Sequence, residues 1–209
     1  MREAMHSKFP GYTPLAVPTL HWANHMTITE RIEYDVQCLA IYFGKLFAMA
    51  EEASLQESTA IATSEESECF IAHNVTAFIR PDMVCNVYSL VDFWLPQLCD
   101  FHKRKSNLVL GYKDIKGASD LDAYHKYLTK VAALSLQNAQ PNYDHLDYLR
   151  MVRNCDIHNG GHIKDEQQRI KFEQVPGITV SGSLIIIADS FVWDSLDHAK
   201  DYLCTVAQA

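Results

Sequence analysis

Long apolar runs are missing from this sequence. The best candidate, Cys38 to Ala50, is short and carries Lys45, whereas a bilayer-spanning helix needs about 20 consecutive apolar residues. No secretory leader is expected in Met1 to Trp22, which is punctuated by Pro10, Pro14 and Pro18 and has no unbroken apolar stretch. Positive charge is scarce. The 18 Lys and Arg face 26 Asp and Glu, a net charge of −8, which argues against non-specific coating of nucleic acid but leaves room for one local basic site. The six cysteines contain no C-x-x-C pair. They are expected to be reduced thiols of a cytoplasmic protein, several of them small core residues. No Walker-type loop, G-x-G-x-x-G or G-x-S-x-G occurs, which counts against nucleotide hydrolases, dinucleotide enzymes and common serine hydrolases. Internal repeats and low-complexity tracts are also lacking.

What is present is the material of one globular domain. The 209 residues suffice for a real core, and 48% hydrophobic with 21% charged residues is too apolar for a wholly disordered chain. Residues 1–26 read as an extended arm, because three prolines favour an irregular or polyproline path. The arm's Tyr12, Leu15, Val17, Leu20 and Trp22 are expected to pack on the domain or on a partner.

The first helix is expected near Thr27. Thr27-Ile28-Thr29-Glu30 has the capping-box pattern, and Ile28, Ile32, Val36, Leu39, Phe43, Leu46 and Phe47 then recur at helical spacing. Leu55 to Glu68 is polar, a solvated helix or a loop. A further helix is expected over Cys69 to Ile79. Pro81 suits the first turn of the next helix, whose Val84, Val87, Tyr88, Val91, Trp94, Leu95 and Leu98 form a wide apolar face. Phe93, Trp94 and Phe101 are expected to be core rather than a base-stacking platform. Pro96 is expected to kink this helix, which ends in Lys103-Arg104-Lys105. That cluster can contact RNA, or simply serve as the solvated end of a helix.

Residues 106–118 read as a connector. Ser119-Asp120-Leu121-Asp122 reads as the start of a helix through Leu134. Pro141-Asn142 breaks the chain before a shorter helix that ends at Gly160-Gly161. Ile178-Thr179-Val180 and Leu184-Ile185-Ile186-Ile187, around Ser181-Gly182-Ser183, read as a β-hairpin. A last helix is expected from about Asp194. The predicted fold is therefore mainly α, with a small C-terminal hairpin and a final helix.

The chemistry concentrates in Arg153-Asn154-Cys155-Asp156-Ile157-His158. Arg carries a permanent charge and a planar fork of donors that fits phosphate oxygens. His titrates near neutrality and can move a proton. Asn can orient either group without adding charge. Together they suit phosphodiester cleavage, and RNA supplies its own nucleophile in the 2′-hydroxyl, so neither metal nor cofactor is required. On a regular helix Asn154 and His158 share a face, but Arg153 and His158 diverge by roughly 140°. Either Arg153 reaches around, or the helix loosens before Gly160, or two copies of the segment meet across a dimer. The His158/His162 and His21/His25 pairs have the four-residue spacing of some metal ligands, but two glycines lie between the first pair, where the helix is expected to have ended, and the second lies in a segment with no other clear ligand.

The run Arg153-Asn154-x-x-x-His158, followed by Asn159-Gly160-Gly161, resembles the R-x(4–6)-H motif of the HEPN superfamily in its form with a polar residue after the Arg. The aromatic helix Val84–Leu98, the connector ending Asp114-Ile115-Lys116-Gly117, and the segment holding Tyr124, Tyr127-Leu128 and Lys130 resemble the usual lead-in. The hairpin and last helix resemble the C-terminal elaboration of some bacterial members. The resemblance covers roughly residues 27–207. It implies a HEPN-like helical bundle, frequently homodimeric, in which Arg and His from two protomers cut RNA without metal. Arg153 would then bind the scissile phosphate, His158 would transfer the proton and Asn154 would assist. Many members belong to toxin–antitoxin, CRISPR-linked or antiviral systems, so an antitoxin or other regulatory partner is implied. Other members keep the fold as non-catalytic RNA- or protein-binding modules.

Overall fold

The computed structural model describes residues 26–61 and 78–209. The expected arm, the expected helix from Cys69 and the His21/His25 pair fall outside the described residues, apart from Met26 of the arm and the last two residues of that helix. Six helices and one two-stranded hairpin make up the described chain.

Helix α1 spans Ile28–Ile61 and opens with the expected capping box. The Thr27 N–H donates to Glu30 Oε2 at 2.7 Å, and the Glu30 N–H donates to Thr27 Oγ1 at 3.2 Å. The bonds from Thr27 hold the Glu30 carboxyl below the usual range. Helix α2 spans Ile79–Lys105 with Pro81 in its first turn. It runs on through Pro96 as one element. Leu95, Leu98, Cys99 and His102 are buried around and beyond the proline, and their packing offsets the hydrogen bond that Pro96 cannot make. Trp94 is buried, and its indole N–H donates to Asp35 at 3.1 Å. Phe93 departs from expectation: it is 58% exposed, because it follows the core face of α2 around to the solvent side.

Helix α3 covers Asp120–Lys126, and the Ser119 hydroxyl accepts from the Asp122 N–H. The chain then widens into a π-helical turn over Tyr127–Val131 instead of continuing as α-helix to Leu134. The Ala132 and Leu134 N–H groups reach back to the Tyr127 and Leu128 carbonyls. The widening places Tyr127 and Leu128, adjacent in sequence, both in the core. Helix α4 spans Gln140–Asn159. Pro141 lies within its first turn rather than before it, where a missing N–H costs nothing. Helix α5, Glu166–Glu173, was not expected. Its signal was present in Asp165-x-x-Gln168: Asp165 accepts from the Gln168 N–H, and Gln168 accepts from the Lys164 N–H, each at 2.8 Å.

Strands β1 (Ile178–Ser181) and β2 (Leu184–Ile187) pair antiparallel, Ile178 opposite Ile187. Helix α6 spans Asp189–Gln208, starting five positions before the expected Asp194. It packs against α1, α2 and α4. His102 of α2 is buried, and its Nε2–H donates to the Val206 carbonyl of α6 at 2.8 Å. Burial keeps that imidazole below its ordinary pKa and hence neutral. Among the described residues, no helix is long and apolar enough to cross a membrane.

Gly177 joins α5 to the hairpin at φ +78°, and a β-carbon there would sit 2.8 Å from Phe191 Cβ. Gly177→Ala combines left-handed strain with overpacking at the start of α6. It is expected to cost about 1–3 kcal/mol, read as a lower urea midpoint with an unchanged slope; an unmoved midpoint contradicts this packing.

Candidate functional site

The site is the last two turns of α4. Leu146, Leu149, Val152 and Cys155 are buried and fix how the helix rolls against the core. The Cys155 thiol donates to the His162 carbonyl at 3.4 Å, and burial pushes the thiol's pKa up. Gly160 then ends the helix at φ +57°. Its N–H donates to the Asp156 carbonyl at 2.8 Å, and the Gly161 N–H donates to the Cys155 carbonyl at 3.2 Å, the closure that a left-handed glycine permits. Beyond it, His162 forms a bridge to Leu184 of β2, and its Nδ1 lies 3.0 Å from Ser183 Oγ. The end of α4 is thus tied to the hairpin.

Arg153 is half-buried on the α2 side. Its guanidinium lies over the Tyr88 ring, 5.6 Å from the centroid, and Nη1 donates to Asn154 Oδ1 at 3.0 Å. Its charge also acts on Asp92 and Cys85 of α2. Burial raises the Asp92 carboxyl and Arg153 lowers it in part, while Asp120 adds to the rise. Burial likewise raises the Cys85 thiol; Asp156 adds to this and Arg153 opposes it. The Asp156 carboxyl is itself raised by burial. The sequence reading placed Tyr88 on the apolar face of its helix and did not single out Asp92. The available signal was their four-residue spacing, which sets a carboxylate one turn along the face that carries Tyr88.

His158 is exposed and makes no hydrogen bond or ion pair among the described residues. Helix α4 stays α-helical through Asn159, so it does not loosen to bring Arg153 and His158 together. The two side chains leave the helix roughly 140° apart, one toward α2 and one toward solvent. Asn154 is engaged with Arg153 rather than with His158. Lys103, Arg104 and Lys105 close α2. Lys103 lies roughly 22 Å along the helix from Tyr88, and Lys105 reaches the Ala209 carbonyl at 3.3 Å. One chain does not bring this basic cluster to Arg153.

Two other features lie apart from the segment. A groove of about 450 Å³ between α1 and α2 is lined by Leu39, Tyr42, Leu90 and Phe93 with Asn86 and Ser89 at hand, and no residue of Arg153–His158 lines it. Among the described residues, no three His, Cys, Asp or Glu side chains are grouped as metal ligands would be.

The thiols report whether this end of α4 is docked. Cys38 is exposed, whereas Cys99 and Cys155 are buried, and burial holds both buried thiols protonated. Among the cysteines of the described residues, iodoacetamide at pH 8 is expected to label Cys38 first and Cys155 only on unfolding. Early labelling of Cys155, mapped by peptide mass spectrometry, would show the end of α4 free of the core.

Comparison with known proteins returns no matching family model, curated protein or solved structure, so the residues and their geometry alone carry the functional reading.

Proposed function

We propose that this chain is a metal-independent endoribonuclease of HEPN type that works as a homodimer. The observation that carries the reading is the end of α4. A guanidinium is held on an aromatic face and by an adjacent amide, and an exposed imidazole follows it just before a glycine stop. Arg153 would stabilise the negative charge that builds on the phosphate oxygens, as a preorganised donor does. Neutral His158 would take the proton of the 2′-hydroxyl as its oxygen attacks phosphorus. The bond to the 5′-oxygen breaks, and that oxygen collects a proton from an imidazolium. The products are a 2′,3′-cyclic phosphate and a 5′-hydroxyl. Because the nucleophile belongs to the substrate, the route needs no metal to generate one.

The divergence of Arg153 and His158 on an unbroken helix is the reason for pairing. Two copies of α4 facing each other would set Arg153 of one chain beside His158 of the other. The expected setting is cytoplasmic, as a toxin or antiviral effector restrained by an antitoxin or another regulatory protein, with Lys103, Arg104 and Lys105 as outlying RNA contacts. A second reading is a non-catalytic HEPN-type module that binds RNA or protein. It is favoured by the same divergence, by the engagement of Arg153 within its own chain, and by the net charge of −8.

Purified protein incubated with a mixed RNA pool and a chelator is expected to cut and leave cyclic phosphate ends. Replacing the 2′-hydroxyl at the cleaved position is expected to stop the reaction. Undiminished cutting of that substrate refutes the route. Light scattering is expected to give a dimer at micromolar concentration; a monomer at all concentrations counts against the paired site.

Arg153→Ala is expected to slow cutting by about 10²–10³-fold, and His158→Ala by about 10²–10⁴-fold. Both variants should keep their circular dichroism, since each side chain sits at a helix end. Arg153→Lys rescues poorly, because an ammonium lacks the planar fork. Asn154→Ala is expected to cost less than either. Tyr88→Leu, which removes the ring under the guanidinium, is expected to weaken the rate less than loss of Arg153 itself. If His158→Ala cuts as fast as the parent, the site assignment fails and the binding-module reading stands.

A further inference from the structure

Three histidines line the seam where α3 and α4 meet α6, and none of them forms an ion pair among the described residues. The His145 ring lies on the His198 ring, centroids 4.2 Å apart and 25° from parallel. His145 Nε2 is 2.9 Å from the hydroxyl of Ser195, which has no solvent exposure. Phe191 lies beside the same imidazole, at 5.4 Å. His198 Nδ1 is 2.7 Å from the side-chain oxygen of Asn142. A short way along, His125 stacks on Tyr143 at 3.9 Å, and its Nδ1 is 2.8 Å from the hydroxyl of buried Tyr202. Asn142, Tyr143 and His145 belong to α4; Ser195, His198 and Tyr202 belong to α6. The seam is therefore closed by stacked rings and uncharged hydrogen-bond partners.

Such a seam tolerates proton uptake poorly. A charged ring half-buried between helices loses part of its solvation, and a charge on either of two stacked rings is repelled by a charge on the other. The charges that face the seam offer little relief. Asp194 is the carboxylate that acts on His145, and Asp122 and Asp144 act on His125. Tyr143 feels Asp122, Asp147, Arg150 and Asp144, and from α2 the Cys99 thiol reaches Tyr202. Both tyrosine hydroxyls are pushed up and stay neutral. The short turn Gln137–Ala139, which also packs on α6, has no titratable side chain. Burial, with His198 adding, pushes His145 down to about 4, and burial lowers His125 against the pull of its two carboxylates. Both histidines therefore bind protons more weakly in the closed seam than in an open one. Stability of the closed seam is complete above the ordinary histidine value of about 6.5 and is lost as pH falls from there toward about 4.

We propose that the α4–α6 seam is an acid-sensitive catch, whose stacked histidines drive α4 away from α6 on protonation and so displace the helix end that carries Arg153 and His158. The catch opens locally, because every residue stacked on or hydrogen-bonded to the three histidine rings belongs to α4 or α6 and none to α1 or α2. The inference does not rest on RNA cleavage.

Hydrogen–deuterium exchange of the full chain at pH 7.5 and 5.0, corrected for the intrinsic chemical rate, tests it. Residues 140–152 and 190–202 are expected to exchange on the order of 10-fold faster at pH 5.0, with residues 83–99 changing far less. His145→Gln, which keeps a polar partner for Ser195 without a titrating ring, is expected to remove most of the pH response. His198→Gln is expected to do the same and serves if the first variant folds poorly. An equal pH response in all three segments of the parent overturns the local catch. A full response surviving in both folded variants overturns the role of the histidines, and no response in the parent overturns the proposal outright.

Discussion

Burial of α6 is the constraint on which the other helices depend. Phe191, Val192, Leu196, Ala199, Tyr202, Leu203 and Val206 are almost wholly removed from solvent. They face three different helices, since α1, α2 and α4 all pack on this element. Each fully buried side chain of this size contributes about 1.5–3 kcal/mol before conformational entropy is counted. The polar groups that share the interior follow the same demand. His102 gives its N–H to a carbonyl of α6, and Ser195 meets an imidazole. The orientation of α4, and with it the direction in which Arg153 and His158 leave the chain, follows from how α4 lies on α6 and α2.

The candidate site is a positive group set in acidic surroundings. Arg153 stands among Tyr88, Asp92, Asn154 and the nearby Asp156, and burial of those carboxyls raises their affinity for protons. A guanidinium in such a place is oriented before any ligand arrives, which lowers the ordering cost of binding a phosphate. It is also partly neutralised, so an incoming anion must compete with Asp92. His158 has neither constraint. The two groups therefore differ in kind, one anchored and one free, which suits an arrangement completed by a second surface.

Much of this was legible in the sequence where the signal is local and chemical. The Thr27 capping box, the Ser119 cap, the glycine stop after Asn159 and the hairpin around Gly182 all depend on residues a few positions apart, and all stand where their chemistry puts them. Boundaries set by tertiary packing were less legible. Helix α6 begins at Asp189 because Phe191 and Val192 are buried, and Asp189 pairs with Arg80 from α2. The widened turn after Lys126, where Tyr127 and Leu128 are buried, had no signal in the helical periodicity. In the site, Arg153 and His158 stood out as residue types, whereas the role of Tyr88 as a platform needed the approach of two helices far apart in sequence. The histidine seam was silent for the same reason, its hydrogen-bond partners lying 50 to 77 positions apart.

The place of α6 in the chain has a consequence for biogenesis. Three helices wait for a partner that is translated after all of them, so a nascent chain that has emerged only as far as the hairpin lacks the element they share. Helices α1 and α2 contact α6 across more than a hundred intervening residues, and such distant contacts form late. Until residues 189–208 clear the ribosome, α4 has only one of the two helices that fix its orientation, and Arg153 and His158 project from a half-anchored helix. Synthesis of the last helix thus sets the moment at which the site takes shape.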